Sequence, residues 1–117
     1  MNPTHYAVAL KYDDAKMAAP RVVAKGADLL AMKIRDTATD AKVPVLQAPP
    51  LARALYAHAE IDREVPQALF AAVAQVLAWV YQLRAAMAGQ GAMPVEIATL
   101  PVPNELDPHN KNVGVEA

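Results

Sequence analysis

An asparagine followed at once by a proline, Asn2-Pro3, can break its own chain. The usual fate of a mobile asparagine is attack on its side-chain carbonyl by the next backbone nitrogen. Pro3 has no N–H and closes that route. The reverse attack stays open: the Asn2 side-chain nitrogen adds to the Asn2 carbonyl carbon, a succinimide forms, and the Pro3 nitrogen leaves. Such a reaction within one residue gains from proximity, for which effective molarities reach on the order of 10^5 M or more. Thr4 and His5 follow directly. The imidazole of His5 has an ordinary pKa, about 6.5, suited to proton transfer near neutrality, or it could anchor the turn by hydrogen bonding. Thr4 fits turn geometry better than nucleophilic attack. Taken alone, Asn-Pro is ordinarily just a turn.

Other candidates for chemistry are weaker. Lys25-Gly26 ahead of a helix could hold phosphate, but no glycine-rich loop accompanies it, and a turn is the simpler reading. His58 lies near Glu60 without a catalytic partner, and Glu60, Asp62 and Glu64 read as a solvated loop before Pro66. Trp79 and Tyr81 fall on opposite sides of one helix, where at least one belongs to the core. The histidines at 5, 58 and 109 do not make metal-ligand spacing, and no cofactor motif is present.

The elements that must position these residues follow from periodicity. Tyr6, Val8, Leu10 and Tyr12 alternate with His5, Ala7, Ala9 and Lys11, which predicts a strand over 5–12. Arg21–Ala24 reads as a second strand. Gly26 opens a helix of about 15 residues, with Ala27, Leu30, Ala31, Ile34 and Ala38 on one face. Val43–Gln47 reads as a third strand, with Pro44 placing it at an edge. Pro49-Pro50 leads a short helix to His58, and Pro66 suits the first turn of a long helix ending near Arg84. Strands alternating with helices predict an α/β layer with some parallel pairing. Beyond Ala88, glycines and prolines without a sustained period predict a disordered tail, with a Pro-rich binding segment as the alternative.

Composition bounds the rest. The chain has 117 residues, net charge −1 and no cysteine. One domain, no disulfide framework and no electrostatic case for nucleic acid follow. The longest apolar run, Ala68–Leu83, is broken by Gln75 and Gln82. It is shorter than the ~20 residues that cross a bilayer, so it reads as a buried core helix.

Four segments in order carry a family resemblance: Asn2 through Tyr12; Ala19-Pro20-Arg21-Val22-Val23-Ala24-Lys25-Gly26; Pro44-Val45 leading to Pro49-Pro50-Leu51-Ala52-Arg53-Ala54-Leu55-Tyr56; and Ala72 through Trp79. Together they resemble the cytoplasmic C-terminal domain of the FlhB/YscU/SpaS family of type III export-switch proteins. The resemblance implies a small mixed sheet of about three strands here, a fourth supplied by an upstream strand, and about four helices. Residues 1–87 would form the domain, with its self-cleavage loop at 2–5, and 88–117 a flexible tail.

The resemblance also implies a function. Asn2, Pro3, Thr4 and His5 would be the self-cleavage site, a single-turnover event without an external substrate. Ala19, Pro20, Ala74 and Leu77 would line a small apolar site for early rod and hook substrates, although alanine and leucine at such spacing are more often plain core. Implied partners are the flagellar export gate proteins, the hook-length ruler protein, the export substrates and the protein's own upstream part. The implied location is the cytoplasmic face of the bacterial inner membrane, attached through a membrane domain before Met1. Without the upstream strand the cleavage turn is expected to stay mostly uncut, and the exposed strand edge to favour self-association. A free-standing soluble adaptor is the alternative reading, and a small enzyme with an external substrate the weakest.

Overall fold

The computed structural model describes residues 5–13, 15–95 and 100–107. Asn2, Pro3 and Thr4 lie outside the described residues. Two antiparallel strands, β1 (Tyr6–Lys11) and β2 (Arg21–Ala27), form the sheet. Their register runs from Tyr6 opposite Ala27 to Lys11 opposite Arg21 and shifts between Ala9 and Leu10. Because Ala9 faces Ala24 and Leu10 faces Val22, Val23 is the extra residue of a β-bulge. The outer edge of β2 is occupied by the turn that follows the second helix. There Asp62 N–H donates to Val22 O (2.7 Å), Val22 N–H to Arg63 O (3.1 Å) and Val65 N–H to Pro20 O (2.9 Å). Asp62 adopts φ 66°, a left-handed position that aspartate tolerates better than most residues.

Helix α1 (Asp28–Asp40) follows β2 without a loop. A side chain at Gly26 would place its Cβ 2.5 Å from Leu30 Cγ, so only glycine lets the chain fold back this closely. Gly26 is therefore the last turn of strand rather than the first of helix. Ala31 is buried and Ile34 and Ala38 are half-buried, as the periodicity predicts, whereas Leu30 is exposed. The helix ends in a Schellman arrangement: Val43 N–H donates to Ala38 O (2.8 Å) and Lys42 N–H to Thr39 O (3.0 Å), with Lys42 at φ 61°.

The strand expected over Val43–Gln47 is absent; these residues belong to no ladder. Pro44 offers no donor, the left-handed Lys42 turns the chain out of α1, and Val43 and Val45 stay exposed. Among the described residues the sheet thus has two strands, and its one parallel pairing is the single bridge Val22–Ile61. The outer edge of β1 carries no partner among them.

Helix α2 (Pro49–His58) starts on its two prolines and buries Leu51, Ala54 and Leu55 at helical spacing. A 3₁₀ turn (Gln67–Leu69) leads into α3 (Phe70–Met87). The core gathers Val22, Leu51, Ala54, Leu55, Ala59, Val65, Leu69, Ala72 and Val73, flanked by half-buried Val8, Leu10, Val76 and Leu77.

Two expectations change here. Helix α3 is not a buried core helix, since only Ala72 and Val73 of it are buried, and Phe70, Tyr81 and Met87 are exposed. By length and composition alone, Gln67–Met87 is long and apolar enough to cross a membrane. The tail is not uniformly loose either: Leu100, Val102 and Leu106 return to the core, and Asp107, 2% exposed, pairs with Arg53.

Candidate functional site

His5, the last residue of the Asn2-Pro3-Thr4-His5 run, and Tyr6 after it are held by backbone and rings together. The His5 carbonyl accepts from Asp28 N–H at 2.8 Å, which closes the β1–β2 ladder at its motif end. Asp28 donates from φ 53°, so the strand-to-helix reversal occurs within this one residue. Tyr6, next in the chain, packs its ring on Tyr56 of α2 with centroids 4.6 Å apart. Lys25, in the strand that pairs with β1, extends its ammonium across the end of α2 and donates to Tyr56 O (3.1 Å) and Ala59 O (2.7 Å). A cation there meets both the last free carbonyls and the negative end of the helix dipole. The same ammonium lies 5.5 Å from the Tyr56 ring centroid. Lys25 thus locks β2 to α2 rather than binding phosphate.

The imidazole of His5 is exposed. Asp28 anchors the residue through its carbonyl, which leaves the side chain available for either of the roles read from the sequence.

The expected docking residues occupy two kinds of environment. Ala19 is buried at 7% exposure, and Pro20 is half-buried with its carbonyl taken by Val65. Leu77 packs half-buried on the core from α3, whereas Ala74 lies on the exposed side of that helix. The loop ahead of Ala19 is shaped by Asp13, whose carboxylate accepts from Ala15 N–H (3.0 Å) and whose carbonyl accepts from Met17 N–H (2.8 Å). An open groove of about 790 Å³ lies elsewhere, lined by Arg21, His58, Glu60, Asp62, Arg63 and Glu64. It contains none of the four expected residues. Its charges are exposed and loosely paired, Glu60 to Arg63 at 4.0 Å, in keeping with a solvated turn. Among the described residues no cluster of histidine and carboxylate side chains suits a metal.

One feature the sequence did not disclose is the pair between Arg53 and Asp107. Arg53 Nε and Nη2 donate to the two carboxylate oxygens at 2.8 and 2.9 Å. That hydrogen bonding raises the Arg53 pKa above its ordinary value, against the opposing effect of burial and with help from the Asp107 charge and Tyr6. The partners are 54 positions apart. Asp107 sits in a proline-punctuated stretch without period, and no local signal marks it as buried.

The chain matches, over residues 1–80, the model of the FlhB HrpN YscU SpaS family. It is 58% identical over 106 residues to the flagellar biosynthetic protein FlhB of Escherichia coli (strain K12), covering 91% of this chain and 28% of that relative. It is 54% identical over 83 residues to the FlhB of Bacillus subtilis (strain 168), covering 71% of this chain and 23% of that one. The chain therefore spans about a quarter of the length of these relatives. The crystal structure of the cytoplasmic domain of FlhB from Shewanella putrefaciens matches with a TM-score of 0.83 and 48% identity, covering 90% of this chain and 82% of that one. Motif, fold and matched length agree, and this chain belongs to the FlhB/HrpN/YscU/SpaS family.

Proposed function

We propose that this chain is the switch domain of a flagellar type III export apparatus, acting at the cytoplasmic face of the inner membrane. It cuts itself once between Asn2 and Pro3 and receives early rod and hook substrates. Its partners in this reading are the gate proteins, the hook-length ruler and the segment encoded before Asn2. The observation that carries it is the run Asn2-Pro3-Thr4-His5 ending at a carbonyl pinned by Asp28. In the step, the Asn2 amide nitrogen bonds to the Asn2 carbonyl carbon and the bond to Pro3 breaks. The amide loses a proton and the Pro3 nitrogen gains one, with His5 as the carrier in this reading. A fixed downstream anchor helps because the turn's freedom is then confined to its other end. After the cut, the pairing of β1 with β2 and the Tyr6–Tyr56 contact hold the downstream piece, so the fold persists while the turn relaxes.

Intact mass and co-purification test the cut, on the domain expressed with its gene's own upstream segment and on its Asn2→Ala twin. The expected result is two associated pieces split between Asn2 and Pro3, and an uncut twin. Two uncut proteins would sink the cleavage reading. For docking, Ala19, Pro20, Ala74 and Leu77 form the proposed surface. Ala74→Asp introduces a charge at an exposed helix position, so the fold should survive. Binding of rod or hook subunits should weaken about tenfold, the scale of ~1.4 kcal/mol, and unchanged binding would remove Ala74 from the surface.

A further inference from the structure

Among the described residues, the segment 100–107 meets the rest of the domain through side chains. Among the described residues its backbone hydrogen bonds are internal: Val102 N–H to Leu100 O (2.8 Å) and Leu106 N–H to Pro103 O (3.0 Å). Among the described residues, no backbone hydrogen bond ties it to a strand or helix of the domain. Three apolar side chains, Leu100, Val102 and Leu106, pack half-buried on the core, and one carboxylate, Asp107, is forked onto Arg53. That is the composition of a bound peptide rather than of a woven element: apolar anchors supply burial, and one bidentate charge pair sets register. Residues 88–93, which follow α3 on the way to it, are all exposed.

We infer that the face of α2 carrying Arg53 is a peptide-binding surface, and that residues 100–107 are its resident, displaceable occupant. The partner it fits is a short proline-containing segment of another protein. That segment carries three apolar residues spaced as Leu100, Val102 and Leu106, with a carboxylate directly after the last. The resident segment defines this chemistry, and Arg53 supplies the charge complementarity for it. An incoming segment lacking the carboxylate would leave the guanidinium, 18% exposed, without its forked acceptor, and is selected against. This surface is separate from Ala19, Pro20, Ala74 and Leu77, and neither requires the other. Tyr6, at the start of β1, packs on Tyr56 of the same helix.

The test uses a fluorescent, C-terminally amidated peptide with the sequence of residues 100–107 and the full chain. Anisotropy is read on the unaltered chain, on Asp107→Asn, and on Asp107→Asn combined with Arg53→Met. The resident segment competes with the peptide, so apparent affinity is lowered by the fraction of sites already filled. Asp107→Asn should therefore bind at least tenfold more tightly than the unaltered chain. Adding Arg53→Met, or replacing the peptide's own aspartate by asparagine, should abolish that gain. Equal binding by the unaltered and Asp107→Asn chains, or binding indifferent to Arg53→Met, would overturn the proposal.

A second measurement needs no variant. Saturating peptide added to the unaltered chain should increase amide hydrogen exchange over 100–107 while β2 and α2 stay protected. No change at millimolar peptide would equally overturn the displaceable occupant.

Discussion

Lys25 joins three features with one ammonium: the strand that faces β1, the end of α2 and the ring that receives Tyr6. Lys25→Met keeps the aliphatic stem and removes two hydrogen bonds to helix-end carbonyls. At about 0.5–1.5 kcal/mol for each net bond, the expected loss of stability is ~1–3 kcal/mol by denaturant unfolding. Arg53 calls for different arithmetic. Removing one member of a buried pair ordinarily costs about 3–5 kcal/mol. Here the partner sits on a segment that, among the described residues, meets the domain through side chains and can swing out and hydrate. The cost of Arg53→Ala is therefore capped by the free energy of docking that segment, roughly 2–4 kcal/mol for three half-buried apolar side chains before the entropy of ordering is subtracted. Denaturant melts should show that small loss, and exchange over 100–107 should rise far more than exchange in the core. On the side of Arg53 the pair does not respond to ordinary pH. Its folded pKa is raised, so its contribution is complete below the unfolded value and fades only in strong alkali as pH passes the folded one.

At the scale of elements, the turns carry more information than the strands. Lys42 occupies the left-handed position that closes α1, where glycine has no steric penalty. Lys42→Gly should raise stability by about 0.5–1 kcal/mol, less than the ~1–2 kcal/mol steric term because glycine also gains freedom when unfolded. A fall in the thermal midpoint would show that the lysine side chain contributes contacts of its own. Val22 sits at 0% exposure where β1, the Ile61–Val65 turn and the core meet. Val22→Ala should cost about 2 kcal/mol or more through lost burial and the cavity left behind. Helix α3 divides in function along its length: its first two turns close the core, and the remainder presents an apolar, nearly uncharged surface.

Considered whole, the described molecule is a small sheet clasped by α1, α2 and the start of α3, with His5 at the outer end of β1. Among the described residues after α3, 88–93 are all exposed. Limited proteolysis should cut there before it cuts the core. The sequence by itself determined a great deal. Strict alternation in β1, the prolines that start α2 and the spacing of Leu51, Ala54 and Leu55 are local codes, set by backbone sterics and period. The run Asn2-Pro3-Thr4-His5, from which the proposed cleavage is argued, is likewise read from adjacent residues. Tertiary structure decided the rest, because the deciding partners are far apart in the chain. Val43–Gln47 has β-branched residues but no neighbour to pair with. Most of α3 is apolar enough for a core, yet the core is filled by its first two turns. Asp107 is buried where Arg53, 54 positions away, meets it. A carboxylate carries no mark of its own burial; that depends on which cation the fold brings to it.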